Sequence, residues 1–290
     1  MPFRTVVISS HSKLEYSLGY LVFKTADEIK RINISEIQVL IIETTMCSIT
    51  SSLINELIKN KIDVIFCDVK HDPLCQLIPF NQSYNLYKKL KFQLEWKKET
   101  KDVVWAEIVK EKIRSEIRFL SERGFIDEAL LLKSYYSKVE PGDSTSKEGH
   151  AAKVYFNKIF YPGFVRQSED TLNVYLNYGY SLILSLFNRN LVSLGYLTQL
   201  GIHHISETNP FNLSCDLMEP FRVFVDRIAI TIEKNENYKD KLLKLFEIEV
   251  NIAGKKQNFI NAIQIYTQSV LTALNESDLS KLLFPEKYEF

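Results

Sequence analysis

The stretch Ile62–Leu94, IDVIFCDVKHDPLCQLIPFNQSYNLYKKLKFQL, holds the change of texture that decides the fold. It opens on Ile62-Asp63-Val64-Ile65-Phe66, a β-branched and aromatic run that reads as a strand. Asp72-Pro73 and Pro79 then punctuate a connecting segment. From Tyr84 onward the apolar residues return at helical spacing, with Leu86, Leu90 and Leu94 beside Trp96.

On the N-terminal side, short runs broken by Ser, Gly and Asn read as further strands: Thr5–Ile8, Leu14–Tyr16, Tyr20–Phe23 and Val39–Ile42. Thr50-Ser51 can cap one helix, whose apolar positions are Leu53, Ile54, Leu57 and Ile58. On the C-terminal side, Val104, Ile108, Ile113, Ile117 and Leu120 form one helical series, and Ala129–Tyr136 forms another. Pro141-Gly142-Asp143 is a turn, with Ser144 or Thr145 the expected cap of the next helix. Amphipathic segments follow near 145–160, 171–194, 217–233, 237–250 and 257–275. The expected fold class is α+β: a small N-terminal β-rich domain over 1–78, then a larger all-helical domain over 79–290.

Composition sets limits on function. The 36 basic and 36 acidic side chains cancel, which counts mildly against a nucleic-acid binder, although local patches matter more than the sum. The four cysteines show no CxxC or zinc-finger spacing and read as reduced thiols. The N-terminus lacks a signal-peptide core and no apolar run reaches membrane-spanning length, so a soluble cytoplasmic protein is expected. Without a GxxxxGK[ST] loop, a GxGxxG turn or a GxSxG elbow, a nucleotide-driven motor and a serine hydrolase are disfavoured.

The chemistry concentrates in Gly201–Asp226, GIHHISETNPFNLSCDLMEPFRVFVD, and in a distant glutamate, Glu148. Glu148 opens a helix and leans toward its apolar face with Ala151 and Ala152; it is paired, protonated or metal-bound there, or simply favours the positive helix terminus. His203 and His204 follow Gly201 in a turn, and neutral imidazole is a common metal ligand as well as a common structural residue. Asp216-x-x-Glu219 resembles a capping box, yet Pro220 makes that first turn unusual. Asp216, Glu219, Arg222 and Asp226 recur at helical steps as one polar stripe, which either faces solvent or holds a metal and a phosphate oxygen. Asn177-Tyr178-Gly179-Tyr180 lies in an apolar helix where Gly179 permits close approach, and a buried Asn177 there would need partners.

A glutamate opening one helix, an NYGY helix, a G-x-x-H turn and a D-x-x-E-P-F-R helix together resemble the CRISPR adaptation integrase, the most widespread CRISPR-associated protein family. The Arg4–Val7 strand and Glu43-Thr44-Thr45 are similar to members accompanying type II systems. The resemblance implies a β-rich dimerisation domain and a helical catalytic domain. It implies Mg²⁺- or Mn²⁺-dependent insertion of prespacer DNA into a CRISPR repeat, with associated endonuclease activity. Glu148, His204 and Glu219 would be the metal ligands and catalytic residues, with Asp216 an additional acid nearby. Asn177 and Arg222 match motif positions around the site. The implied partners are DNA, a second copy in a homodimer, and a small second adaptation protein whose dimer is bridged by two homodimers into a heterohexamer. Other type II CRISPR proteins are further partners. Lys88, Lys89, Lys91 and Arg166 are candidates for phosphate contact. The rival readings are a general structure-selective metal-dependent nuclease and a non-enzymatic DNA-binding scaffold.

Overall fold

A computed structural model describes residues 4–79, 85–166 and 168–289, and the chain divides into two compact units, residues 1–81 and 82–290. The expected start of helical texture at Tyr84 lies outside the described residues.

The first unit runs β1 (Arg4–Ile8), β2 (Ser12–Ser17), β3 (Tyr20–Lys24), β4 (Ile29–Asn33), β5 (Ile37–Ile42), β6 (Cys47–Ile49), α1 (Ser51–Lys59), β7 (Asp63–Cys67) and β8 (Pro73–Gln76). One sheet has the order β1-β5-β7-β8, parallel except for β8; the other has the order β4-β3-β2-β6. The β2–β3 hairpin turns through Leu18 and Gly19, both at positive φ (49° and 85°), the two-residue geometry that suits the twist of the flanking strands. Thr50 caps α1 by accepting from the Leu53 amide, as its sequence position suggests. Leu14, Leu21, Leu40, Leu53, Leu57 and Val64 draw both sheets and α1 into one core. Pro73 stands at the start of edge strand β8, where its missing amide costs no ladder bond.

The second unit contains α2 (Leu86–Leu94), α3 (Lys98–Glu122), α4 (Ile126–Tyr136), α5 (Lys147–Ile159), α6 (Thr171–Ser193), α7 (Asn212–Met218), α8 (Arg222–Ala229), α9 (Tyr238–Leu243) and α10 (Phe259–Glu276). A small antiparallel sheet accompanies them, with β9 (Glu249–Ile252) between β10 (Lys255–Asn258) and β11 (Lys287–Glu289). The segment near 237–250, read from sequence as one amphipathic helix, is thus α9, a 3₁₀ turn and the start of a strand. The helical texture therefore carries a small sheet that periodicity alone did not separate.

Two long helices, α3 and α6, organise this unit. Against α3 pack α4, α5, α8 and the 3₁₀ turn Glu219–Phe221; against α6 pack α7, α8, α9 and α10. Phe221 is fully buried, with ring centroids 5.6 Å from Phe187, 5.8 Å from Phe259 and 5.3 Å from Tyr266. A buried phenylalanine contributes about 1.5–3 kcal/mol of apolar transfer, so this aromatic nest fixes the turn that presents Glu219. Pro220 explains why the chain tightens here: lacking an amide, it interrupts the helical ladder between α7 and α8.

Candidate metal centre

Glu148 owes its place to Asp143. The Asp143 carboxylate accepts the Lys147 and Glu148 amides at 2.8 and 2.9 Å and so caps α5. The expected caps, Ser144 and Thr145, do not serve: Ser144 donates to Glu140 instead, and Ser146 turns the chain through a left-handed conformation (φ 51°) before the helix begins. Capping two residues further upstream leaves the Glu148 side chain at the first turn, facing α3.

There it meets Lys112. This lysine, buried on α3, donates to Glu148 Oε1 and, at 2.6 Å, to Glu219 Oε2. Arg222 Nε takes the other oxygen of Glu219 at 2.9 Å. Burial works against the Glu219 charge, but Arg222 and Lys112 outweigh it and hold the carboxyl down to about 2. Lys112 loses by burial and gains more from Glu219 and Glu148, so it stays firmly protonated. Both carboxylates bond one nitrogen, so their oxygens lie within two hydrogen-bond lengths, roughly 6 Å at most. Glu116, one turn along α3, is buried, and burial pushes its carboxyl up to about 8.

The histidine turn is built round Asp216. Its side chain, fully buried in α7, accepts the backbone amides of Ile202 (2.6 Å), His203 (3.1 Å) and His204 (3.0 Å). The same carboxylate accepts from His204 Nδ1 at 2.6 Å, which makes that nitrogen the protonated one and leaves the lone pair on Nε2. This hydrogen bond raises the imidazole's affinity for a proton. Gly201 is required for so tight a turn, because a Cβ there would lie 2.3 Å from the His204 carbonyl and 2.8 Å from Asp216 Oδ2. The two histidines are now distinguished: His203 stacks on Trp105 (4.5 Å between centroids, 5° apart), whereas His204 is the one oriented by a carboxylate. Asp216 lies inside α7, which begins at Asn212, so it does not form a capping box with Glu219.

The polar stripe does not face solvent. Asp216, Glu219 and Asp226 are all buried, and Asp226 accepts hydrogen bonds from Tyr155 and Tyr180. Burial pushes the Asp226 carboxyl up to about 6 despite those bonds and the nearby arginines. Asn177 is exposed, which corrects the expectation that it is buried: its turn of α6 faces outward, and its Oδ1 accepts from Arg166 Nη2 at 2.9 Å. Asn173, one turn earlier, is buried and also accepts from Arg166. Arg166 and Arg222 lie 5.1 and 4.8 Å from the Tyr180 ring centroid.

Among the described residues no three His, Cys, Asp or Glu side chains close into a ligand set by themselves, and Glu148 and Glu219 are instead bridged by the Lys112 ammonium. What the structure does bring together is the Glu148 and Glu219 carboxylates on one ammonium, and, at the histidine turn, an imidazole whose Nδ1 is held by a buried carboxylate. Lys112 and Asp143 were missed from sequence. The signal for Lys112 was present in the row Ile108, Lys112, Glu116, Leu120, where two charges share the apolar face of one helix at four-residue steps.

Fold and site together define a class: a β-rich unit followed by a helical unit that gathers two glutamates and an oriented histidine beside paired arginines. Residues 5–252 match the family described as CRISPR associated protein Cas1, and the chain belongs to that family. It is 29% identical to the CRISPR-associated endonuclease Cas1 of Neisseria meningitidis serogroup C (strain 8013), over 99% of this chain and 97% of that protein. In fold it is similar to a Cas6-RT-Cas1–Cas2 complex (TM-score 0.73, 20% identity), covering 98% of this chain and 36% of that longer one. It is equally similar to a casposase bound to integration product (TM-score 0.73, 19% identity), covering 94% of this chain and 91% of that one.

Proposed function

We propose that this chain is a metal-dependent DNA integrase of CRISPR adaptation with associated DNA endonuclease activity. The observation that carries the proposal is the convergence of Glu148 and Glu219 on one cation beside the Asp216-oriented His204, in a chain of the Cas1 family. The N. meningitidis relative named as an endonuclease supports the reaction class, and the casposase bound to integration product supports strand joining over hydrolysis alone.

Glu148, Glu219 and His204 Nε2 would hold Mg²⁺ or Mn²⁺, which supplies Lewis acidity at the scissile phosphate. Around them the chain's own groups act on the substrate. Asp216 keeps the His204 proton on Nδ1 and so keeps the Nε2 lone pair available. Arg222 pins one Glu219 oxygen and, with Arg166 beside it, offers positive charge to a DNA phosphate. In the reaction a prespacer 3′-hydroxyl loses its proton as its oxygen bonds phosphorus. The P–O bond to the repeat strand breaks, and the departing 3′-oxygen takes up a proton. No covalent enzyme intermediate is needed.

The partners are prespacer and repeat DNA, a second copy of the chain, and a small second adaptation protein, in a heterohexamer with other type II proteins attending. The similarity to the Cas6-RT-Cas1–Cas2 complex supports the second protein. A cytoplasmic location accords with the substrate, and no described helix is long and apolar enough to cross a membrane. The decisive experiment mixes labelled prespacer with repeat DNA and Mn²⁺. Joined products are expected from the wild type and none from Glu148→Gln or Glu219→Gln. Cleavage without joining would make the protein a structure-selective nuclease, and undiminished joining by Glu219→Gln would remove the site.

A further inference from the structure

Lys112 is the residue that bonds both glutamates of the centre, and its charge runs against the binding of a metal there. Its ammonium bonds one oxygen of each carboxylate that would hold a divalent ion, Glu148 Oε1 and Glu219 Oε2. It reaches them from α3, while the carboxylates come from α5 and from the turn between α7 and α8. Its side chain is only 9% exposed, so this is not one of the interchangeable surface pairs that contribute little. An ammonium and a divalent cation sharing these two oxygens would stand about 4 Å apart, where like charges in a poorly solvated site repel strongly. Each occupant therefore weakens the binding of the other.

The fold also provides a place for the displaced ammonium. Glu116 lies four residues further along α3 and is 3% exposed, and its Oε2 has no hydrogen-bond partner. A lysine and a glutamate four apart on one helix are within reach of each other. A buried carboxyl oxygen without a donor is costly to keep, and an arriving ammonium would satisfy it and favour the ionised form of the group. Arg222 meanwhile keeps Glu219 in place through Oε1, so exchange at Oε2 need not release the side chain.

We propose that Lys112 is the resident counter-cation of this centre: it bridges Glu148 and Glu219 while no divalent ion is bound, and moves to Glu116 when Mg²⁺ or Mn²⁺ takes the carboxylates. The inference rests on the metal centre proposed above and adds to it a positioning residue and a built-in competitor. Lys112 keeps two like-charged carboxylates together without metal, and it sets a threshold that the metal concentration must exceed.

The test is Mn²⁺ binding followed by calorimetry on the full-length protein, with no DNA and no turnover. Lys112→Met should bind Mn²⁺ at least about tenfold tighter than wild type, as removal of a competing buried charge implies. Its melting temperature should be lower without metal and should rise more on adding Mn²⁺. Glu116→Gln should weaken binding in the wild-type background and have no effect in the Lys112→Met background, because the two residues act as one device. Lys112→Met binding no tighter than wild type would overturn the proposal. So would a Glu116→Gln effect that persists without the lysine, which would mark general electrostatics. If Lys112→Met does not fold, wild-type protein with ¹³C-labelled lysine gives the answer: Mg²⁺ should shift the Lys112 ε-carbon resonance, identified by its loss in Lys112→Arg, and an unmoved resonance refutes the exchange. Binding by the wild type that Glu219→Gln abolishes, together with either overturning result, leaves the metal centre standing and removes only Lys112. No Mn²⁺ binding by the wild type removes both.

Discussion

At the scale of single residues, Asp216 does more than an acid near the site. Its two oxygens gather three backbone amides and one imidazole N–H, so it folds the histidine turn and selects the tautomer together. Asp216→Asn would turn one of those oxygens into an amide group facing donors. The loss should be roughly 1.5–3 kcal/mol of stability, the range for hydrogen bonds to a buried charge, read by urea unfolding. The pair also has a pH signature. The Asp216 hydrogen bond raises His204 above its ordinary value, near 6.5, so the added stability is full below that value and is lost as pH rises past the folded-state value. Wild type should therefore lose its advantage over Asp216→Asn as pH rises through this window, and a constant difference would show that the imidazole contributes nothing. Gly201→Ala tests the turn itself. With a Cβ 2.3 Å from the His204 carbonyl, the turn must open, and unfolding at roughly 1–3 kcal/mol less than wild type is the expected cost of overpacking.

At the scale of elements, α6 and α8 approach so closely at Gly179 that an added Cβ would lie 2.4 Å from Val225 Cγ1. Gly179→Ala should cost about 1–3 kcal/mol, and Val225→Ala should restore most of it in the double variant; an additive pair would mean that the helices do not meet there. The sequence showed this packing because glycine inside an apolar helix has few other uses. It also showed β1, β2, β3, β5, β7 and the long helices, where apolar runs or helical spacing are strong. It did not show β4, β6 or β8, which are short, polar or at a sheet edge, or the β9–β10 hairpin, where Val250 and Ile252 alternate over too few residues to compete with a helical reading. The site was legible as residue identities, since Glu148, His204, Asp216 and Glu219 lie in recognisable local patterns. Lys112 and Asp143 were hidden for different reasons. A charge on a helix's apolar side declares itself only when its partners on other elements are known, and three polar residues compete to cap α5.

At the scale of the whole molecule, the groups of the candidate centre fall in one of the two units. Lys112, Glu116, Asp143, Glu148, His204, Asp216, Glu219 and Arg222 all lie in residues 82–290, and every contact described for the centre is internal to that unit. Its core is drawn from α3, α6, α8 and α10 round the Phe187, Phe221, Phe259 and Tyr266 rings. A fragment of residues 82–290 should therefore unfold cooperatively and titrate Mn²⁺ with the affinity of the full chain. Joining of prespacer to repeat is a different matter, because a chain with zero net charge gains little from long-range attraction to DNA and depends on where its cations are gathered. If pairing of chains through the β-rich unit supplies that gathering, the fragment should keep its metal site and lose joining, and its DNA binding should show a shallower salt dependence than that of the full chain. A fragment that folds but binds no Mn²⁺ would show that the centre is shaped from outside its own unit. A fragment that joins DNA at the full-chain rate would show that the β-rich unit has no part in assembling the reaction.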